Sequence, residues 1–188
     1  MSVEDDYFRG LYLLREEEYE KALPYFEGAI KKNSSYAEAY FQIGYCYSNL
    51  GRFTEAIEAY KQAIRVKPDY AMAHCNLGSA YDNLGCYNEA VEACKQAIRI
   101  KPDIALAHFN LGTVHNKLGR YNEAAEAYNQ AIRIKPDYAE AYCDLGVAYG
   151  NLGRYQEEIE AYKQAIRIKP DDCIFRSIRP VIPVQNGH

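Results

Sequence analysis

The chain lacks most of what would mark an enzyme, a membrane protein or a nucleic-acid binder. Its 188 residues contain no Cys-x-x-Cys pair, no phosphate-binding glycine loop, no nucleophile motif and no metal-spaced cluster, so no catalytic residue and no cofactor is expected. No apolar run approaches the roughly 20 residues that cross a bilayer. The opening Met1-Ser2-Val3-Glu4-Asp5-Asp6 is acidic, so neither anchor nor secretion signal is read. A surplus of basic charge is missing too: 22 Lys and Arg against 26 Asp and Glu give −4, with a pI near 5.6. Such a chain exerts no long-range pull on phosphate backbones. The expectation is a soluble, cytoplasmic protein that binds neither nucleic acid nor membrane.

What the chain does have is a period. Gly51, Gly85, Gly119 and Gly153 recur at steps of 34 residues, and so do Pro68, Pro102, Pro136 and Pro170. A fixed step of this length marks stacked units, each unable to bury its apolar face without its neighbours. The units run over residues 3–36, 37–70, 71–104, 105–138 and 139–172, followed by a tail at 173–188. Little else remains, so any activity must sit on the repeats.

Each unit reads as two helices. In residues 37–70 the apolar sets Ala39, Tyr40, Ile43, Cys46, Tyr47 and Ile57, Tyr60, Ile64 fall mostly three or four residues apart, the period of an amphipathic helix. Gly51 stands where a left-handed helix end is needed, and Thr54, Asn88 and Asn122 are placed to cap the helix that follows. Glu55 and Glu58 open the second helix and Arg65 and Lys67 close it, an order that suits the helix dipole and accounts for most of the charge as solvated surface. Pro68 then blocks continuation. The first unit is the least regular: Asp6, Arg9 and Ser34 replace an aromatic, an aliphatic and a proline, which reads as the polar outer face of an end cap.

Within these units a recurring aromatic, Leu-Gly, Tyr, Ala, a second aromatic, Ala and a closing Pro, as at His74, Leu77, Gly78, Tyr81, Ala90, Ala97 and Pro102, resemble the tetratricopeptide repeat. The resemblance implies an all-α solenoid, a right-handed superhelix of five stacked helix-turn-helix repeats that acts as a protein-interaction module. In that family the glycine inside each first helix, here Gly44, Gly78, Gly112 and Gly146, lets the paired helices approach, with the small residues Ala56, Ala90 and Ala124 facing it. Glycine there costs about 1 kcal/mol relative to alanine, so close packing must offset it. Glu158 stands at that small-residue site opposite Gly146. An unpaired carboxylate buried there would cost several kcal/mol, so the last helix pair is expected to splay or to admit water, or else Glu158 contacts the tail or a partner.

The same resemblance places function on the first helices, which line a concave groove. Transferred residue by residue, it gives a polar row, Gln42, Asn76, Asn110 and Asp144, and a second row, Asn49, Asn83 and Asn151. Carboxamides both donate and accept, so a ladder of them can pair with the backbone of an extended peptide; asparagine is also simply usual at this site. An aromatic cluster of Tyr7, Phe8, Leu11, Phe41 and Tyr45 reads as a patch for ligand side chains or as packing of the terminal helix. Inner-face charges are Arg15 and Lys117 against Glu4, Glu38, Asp82, Glu140 and Asp144, a net of −3, favouring a basic or neutral peptide over an acidic one. The family's clamp for chaperone carboxylates is not matched, because Phe41, Cys75, Leu106 and Phe109 stand where basic residues are wanted.

Three further groups complete the reading. His74, His108 and His115 take sites that other units give to tyrosine, and are expected to pack rather than to catalyse or bind metal. Cys46, Cys75, Cys86, Cys94, Cys143 and Cys173 vary against Ala, Tyr, Phe or Arg in sister units and are expected as free thiols, with disulfide and metal roles left open. The final helix carries Tyr162, Ile166 and Ile168 with no following repeat to cover them, and the tail is apolar at Phe175 and Ile178. These residues are the candidates for self-association into a homo-oligomer, with about 1.5 to 3 kcal/mol available per large side chain fully buried.

Overall fold

The computed structural model describes residues 2–170, which form ten helices in succession. They are α1 (Val3–Arg15), α2 (Tyr19–Lys32), α3 (Ala37–Asn49), α4 (Phe53–Val66), α5 (Ala71–Asn83), α6 (Tyr87–Ile100), α7 (Ala105–Lys117), α8 (Tyr121–Ile134), α9 (Ala139–Asn151) and α10 (Tyr155–Ile168). No strand occurs among the described residues, and each helix packs chiefly on the ones before and after it, which makes a helical solenoid. Phe175 and Ile178 lie outside the described residues.

The glycine turns do what the periodicity asks. Gly51, Gly85, Gly119 and Gly153 have φ of +72°, +76°, +73° and +72°, and each lets the next residue's N–H reach back, as Arg52 N does to Tyr47 O at 2.8 Å. In the first turn the left-handed residue is Glu17, with φ 58°. The helices that follow start two residues earlier than expected. Arg52, Cys86 and Arg120 take the cap positions, without a side-chain cap bond, and Thr54, Asn88 and Asn122 fall inside the first turn, which corrects their assignment as caps. The helix entry is held instead by pairs such as Arg52 Nη2 to Glu55 Oε1 at 2.8 Å.

The core is layered and rich in alanine. Ala22, Ala56, Ala90 and Ala124 are fully buried, yet they are not what the first-helix glycines chiefly meet. A β-carbon on Gly44, Gly112 or Gly146 would stand 2.6 to 2.7 Å from the ring of Tyr60, Tyr128 or Tyr162, and one on Gly78 would stand 2.6 Å from Cys94 Sγ. The close approach is therefore between glycine and the side chain sixteen residues on, a tyrosine ring in three units and the Cys94 thiol in the other; Ala90 adds only its carbonyl oxygen, 3.2 Å from the Gly78 site.

Two expectations about the ends change. Asp6 is not part of an outer polar face: it is 5% exposed, lies against Gly28 and pairs with Lys32 Nζ at 2.5 Å. Arg9, by contrast, is exposed. The last helix pair is not splayed, because Tyr162 sits on Gly146 as closely as its counterparts do on their glycines. Glu158 is half-buried and runs along Gly150, where a β-carbon would stand 2.6 Å from its Oε1. Sister units have Ser48, Asp82 and Asn116 at that first-helix site, so the missing side chain at Gly150 makes room for the large one at Glu158.

Candidate functional site

First helices touch one another across units, α3 with α5, α5 with α7 and α7 with α9, while no comparable contact joins successive second helices. The helices that meet lie on the short side of a curved stack, so the first-helix face is the inner one. The polar row is carried there at the sixth residue of each first helix from α3 to α9, and all four side chains are half-buried. Asn76 Nδ2 donates to Tyr60 Oη, and Asn110 Nδ2 to Cys75 O, each at 3.5 Å, the outer limit for a hydrogen bond. Neither Oδ1 accepts a hydrogen bond among the described residues. These carboxamides are held in place but weakly engaged.

The second row is committed to its own helices. Asn49, Asn83 and Asn151 donate to the carbonyls of Tyr45, Ser79 and Val147, four residues back, at 2.8, 2.9 and 3.0 Å. The amide groups of this row are spent on closing helix ends.

The aromatic cluster divides into separate tasks. Tyr7 packs against Phe26 and Tyr36, with ring centroids 5.7 and 4.9 Å away. Phe41 packs against Tyr60 and Tyr70 at 5.8 and 5.1 Å, and Phe109 repeats the arrangement with Tyr128 and Tyr138. This three-ring motif binds first helix, second helix and closing loop of a unit, so Tyr7 and Phe41 are structural before they are anything else. Leu11 is half-buried against the first core layer. Tyr45, 39% exposed, meets Tyr19 edge-on, and Phe8, 65% exposed, stands beside Tyr12 and Tyr25. Tyr7 and Phe8 do meet edge-on, with ring centroids 6.2 Å apart, and Leu11 packs in the same layer as Tyr7, while Phe41 belongs to the next layer, so the five do not form one patch.

Inner-face charge is partly cancelled by Lys117, already counted among the first-helix residues, and by two lysines that such counting leaves out. Lys117 lies 2.7 Å from Asp82 Oδ2 across two units. Lys67 and Lys169, from the loops closing their units, approach Glu38 and Glu140 at 3.4 and 3.6 Å. With Lys67 and Lys169 added, the count of −3 becomes −1.

Among the described residues no cluster of His, Cys, Asp and Glu is arranged for a metal, and no helix is long and apolar enough to cross a membrane. Burial pushes the Cys46 and Cys75 thiols up to about 12 and Cys94 higher still, and Cys46, Cys75, Cys86 and Cys94 are free. Cys143, buried in α9, is disulfide-bonded, which corrects its reading as a free thiol; Cys173 lies outside the described residues. His74 and His108 each bond a proline carbonyl, of Pro68 and Pro102, at 3.1 and 2.9 Å, as packing residues that steady a loop.

Solved structures share this architecture. MamA is 27% identical, with a TM-score of 0.77, covering 86% of this chain and 94% of its own. TTC0263 of Thermus thermophilus, a thermophilic tetratricopeptide repeat protein, is 27% identical with a TM-score of 0.74, covering 91% and 93%. YrrB is 24% identical with a TM-score of 0.71, covering 89% and 86%. No curated protein matches the chain. The family described as the cilia and flagella-associated protein 70 C-terminal domain, a tetratricopeptide repeat domain, matches residues 8–181. The periodic sequence, the glycine-turned helix pairs and these matches agree, and the chain belongs to this tetratricopeptide repeat family.

Proposed function

We propose that the chain is a protein-interaction scaffold, not an enzyme, whose five 34-residue repeats hold an extended, neutral or weakly basic peptide along the first-helix face. The observation that carries this reading is the state of Asn76 and Asn110: ordered by contacts at 3.5 Å, yet with both Oδ1 atoms unused. A peptide backbone offers the N–H groups they lack, and Gln42 and Asp144 extend the row to the units on either side. YrrB, of the same fold, is described as having an unusual peptide-binding site; at 24% identity the likeness carries the fold and not the site. The test takes peptides selected from a random library and measures their binding by fluorescence polarisation. N76A with N110A should weaken a groove-bound peptide by about 1 to 3 kcal/mol. Unchanged affinity overturns the reading.

A second reading, self-association, rests on α10. Tyr155, Ile159 and Ile166 are 67%, 48% and 46% exposed, whereas Leu23, Ile57, Val91 and Ala125, the counterparts of Ile159, are at most 7% exposed. A copy stacked head to tail fits poorly. Its α1 would bring Arg9 to the site of Ile43 or Leu77, and Tyr12 to that of Cys46 or Ala80. Pairing through two α10 faces, with Tyr162 and Ile168 alongside, avoids both conflicts. A mass that doubles with concentration in light scattering, and stays monomeric in Ile159→Glu, is the expected result.

A further inference from the structure

Three furrows lie on the side of the first helices opposite the inner face. Each is floored by the fourth, seventh and eleventh residues of a first helix, which at 100° per residue fall together and away from the groove positions. Over α3, between α2 and α4, the floor is Tyr40, Ile43 and Tyr47 and the volume about 350 Å³. Over α5, against α6, it is His74, Leu77 and Tyr81, and about 450 Å³. Over α7, between α6 and α8, it is His108, Leu111 and His115, and about 620 Å³. The space grows with each tyrosine that histidine replaces.

The largest furrow also has a histidine without hydrogen bonds in its floor. His115 is 8% exposed; its Nδ1 is sealed from solvent without a partner, and its other ring nitrogen, which is not sealed, makes no hydrogen bond among the described residues either, whereas Tyr149, at the same site two helices on, accepts from Asn129 Nδ2 at 3.3 Å. Ile98 gives one wall an apolar surface, and the rims carry opposite charges, Arg99 on α6 and Glu123 on α8.

We propose that the furrow over α7 is a second binding site, which receives the phenol ring of a tyrosine presented by a partner peptide. Its size points to that class of ligand, because sister units fill the corresponding space with tyrosine rings of their own. Its lining agrees: Leu111 and Ile98 offer apolar surface to the ring faces, a hydroxyl brought in can bond the accessible Nε2 of His115, and the charged rims suit the flanking peptide backbone. The assignment does not depend on the groove.

p-Cresol, the tyrosine side chain alone, is the probe, followed through the ring ¹H–¹⁵N signals of His74, His108, His115 and His188. Saturable shifts at His108 and His115, with His74 and His188 unmoved, are expected. His108→Tyr with His115→Tyr restores the residues of the sister units, so the fold should persist by circular dichroism while p-cresol affinity falls at least about tenfold. No saturable shift, or the same affinity in the double variant, overturns the site. Toluene binding as tightly as p-cresol overturns the assignment to a phenol and leaves an apolar hollow.

Discussion

The Tyr128 ring stands 2.7 Å from where Gly112 would carry a β-carbon. Tyr128 is fully buried, so its ring cannot swing aside. Gly112→Ala should cost about 1 to 3 kcal/mol despite its better helix propensity, because overpacking outweighs a gain of about 1 kcal/mol. Gly150 makes the control. The atom its β-carbon would meet is the end of the Glu158 side chain, which can move, so Gly150→Ala should raise stability by up to about 1 kcal/mol. Urea denaturation of the two variants should give shifts of opposite sign.

Glu17 keeps a left-handed backbone at the turn where the other units have glycine. Glu17→Gly should stabilise the chain by about 1 kcal/mol, since relief of steric strain exceeds the added entropy of the unfolded glycine. Thermal unfolding checks it; a lower Tm would show that the Glu17 side chain makes a compensating contact.

Burial holds the His115 imidazole below the ordinary histidine range, opposed by the Glu123 carboxylate and helped by Arg120 and Lys95. The folded state therefore binds fewer protons than the unfolded chain, whose histidine titrates near 6.5. The stabilisation tied to neutral His115 is complete above that pH and is lost as pH falls below it. His115→Tyr should flatten the decline in unfolding free energy between about pH 7 and 5. An unchanged slope would remove His115 as its source.

Thiol reactivity should follow burial. Cys86 is partly exposed, while Cys46, Cys75 and Cys94 are buried and held protonated. Iodoacetamide at pH 8 should label Cys86 first, at a rate more than about tenfold above the other three. Mass spectrometry of timed digests reads the order.

Periodicity carried most of the fold. Gly51 and its equivalents announced the left-handed turns, and the gaps of three and four residues announced paired helices. Features set by contact between distant residues were not legible. Thr54 looked like a cap because caps favour hydroxyls, but the glycine turn starts the helix at Phe53, before it. Asp6 looked like solvent-facing polarity because nothing local reveals Lys32, 26 residues away. In the groove, the positions of Asn76 and Asn110 followed from the repeat. The neutralising Lys67 and Lys169 did not, because they come from loops assigned no part in the inner face. The widened furrow at His108 and His115 was visible only as Tyr-to-His variation, whose meaning depends on the volume left behind.

First helices press on one another across units, and second helices have no comparable contact. Such a stack is a hinge with a stop on one side. Bending inward compresses side chains already touching and meets stiff resistance, whereas opening outward parts only these few contacts and moves the second helices into space left between them. The curvature can relax for a bulky occupant but cannot tighten around a slender one, so the array would grip a partner by its width as much as by its chemistry.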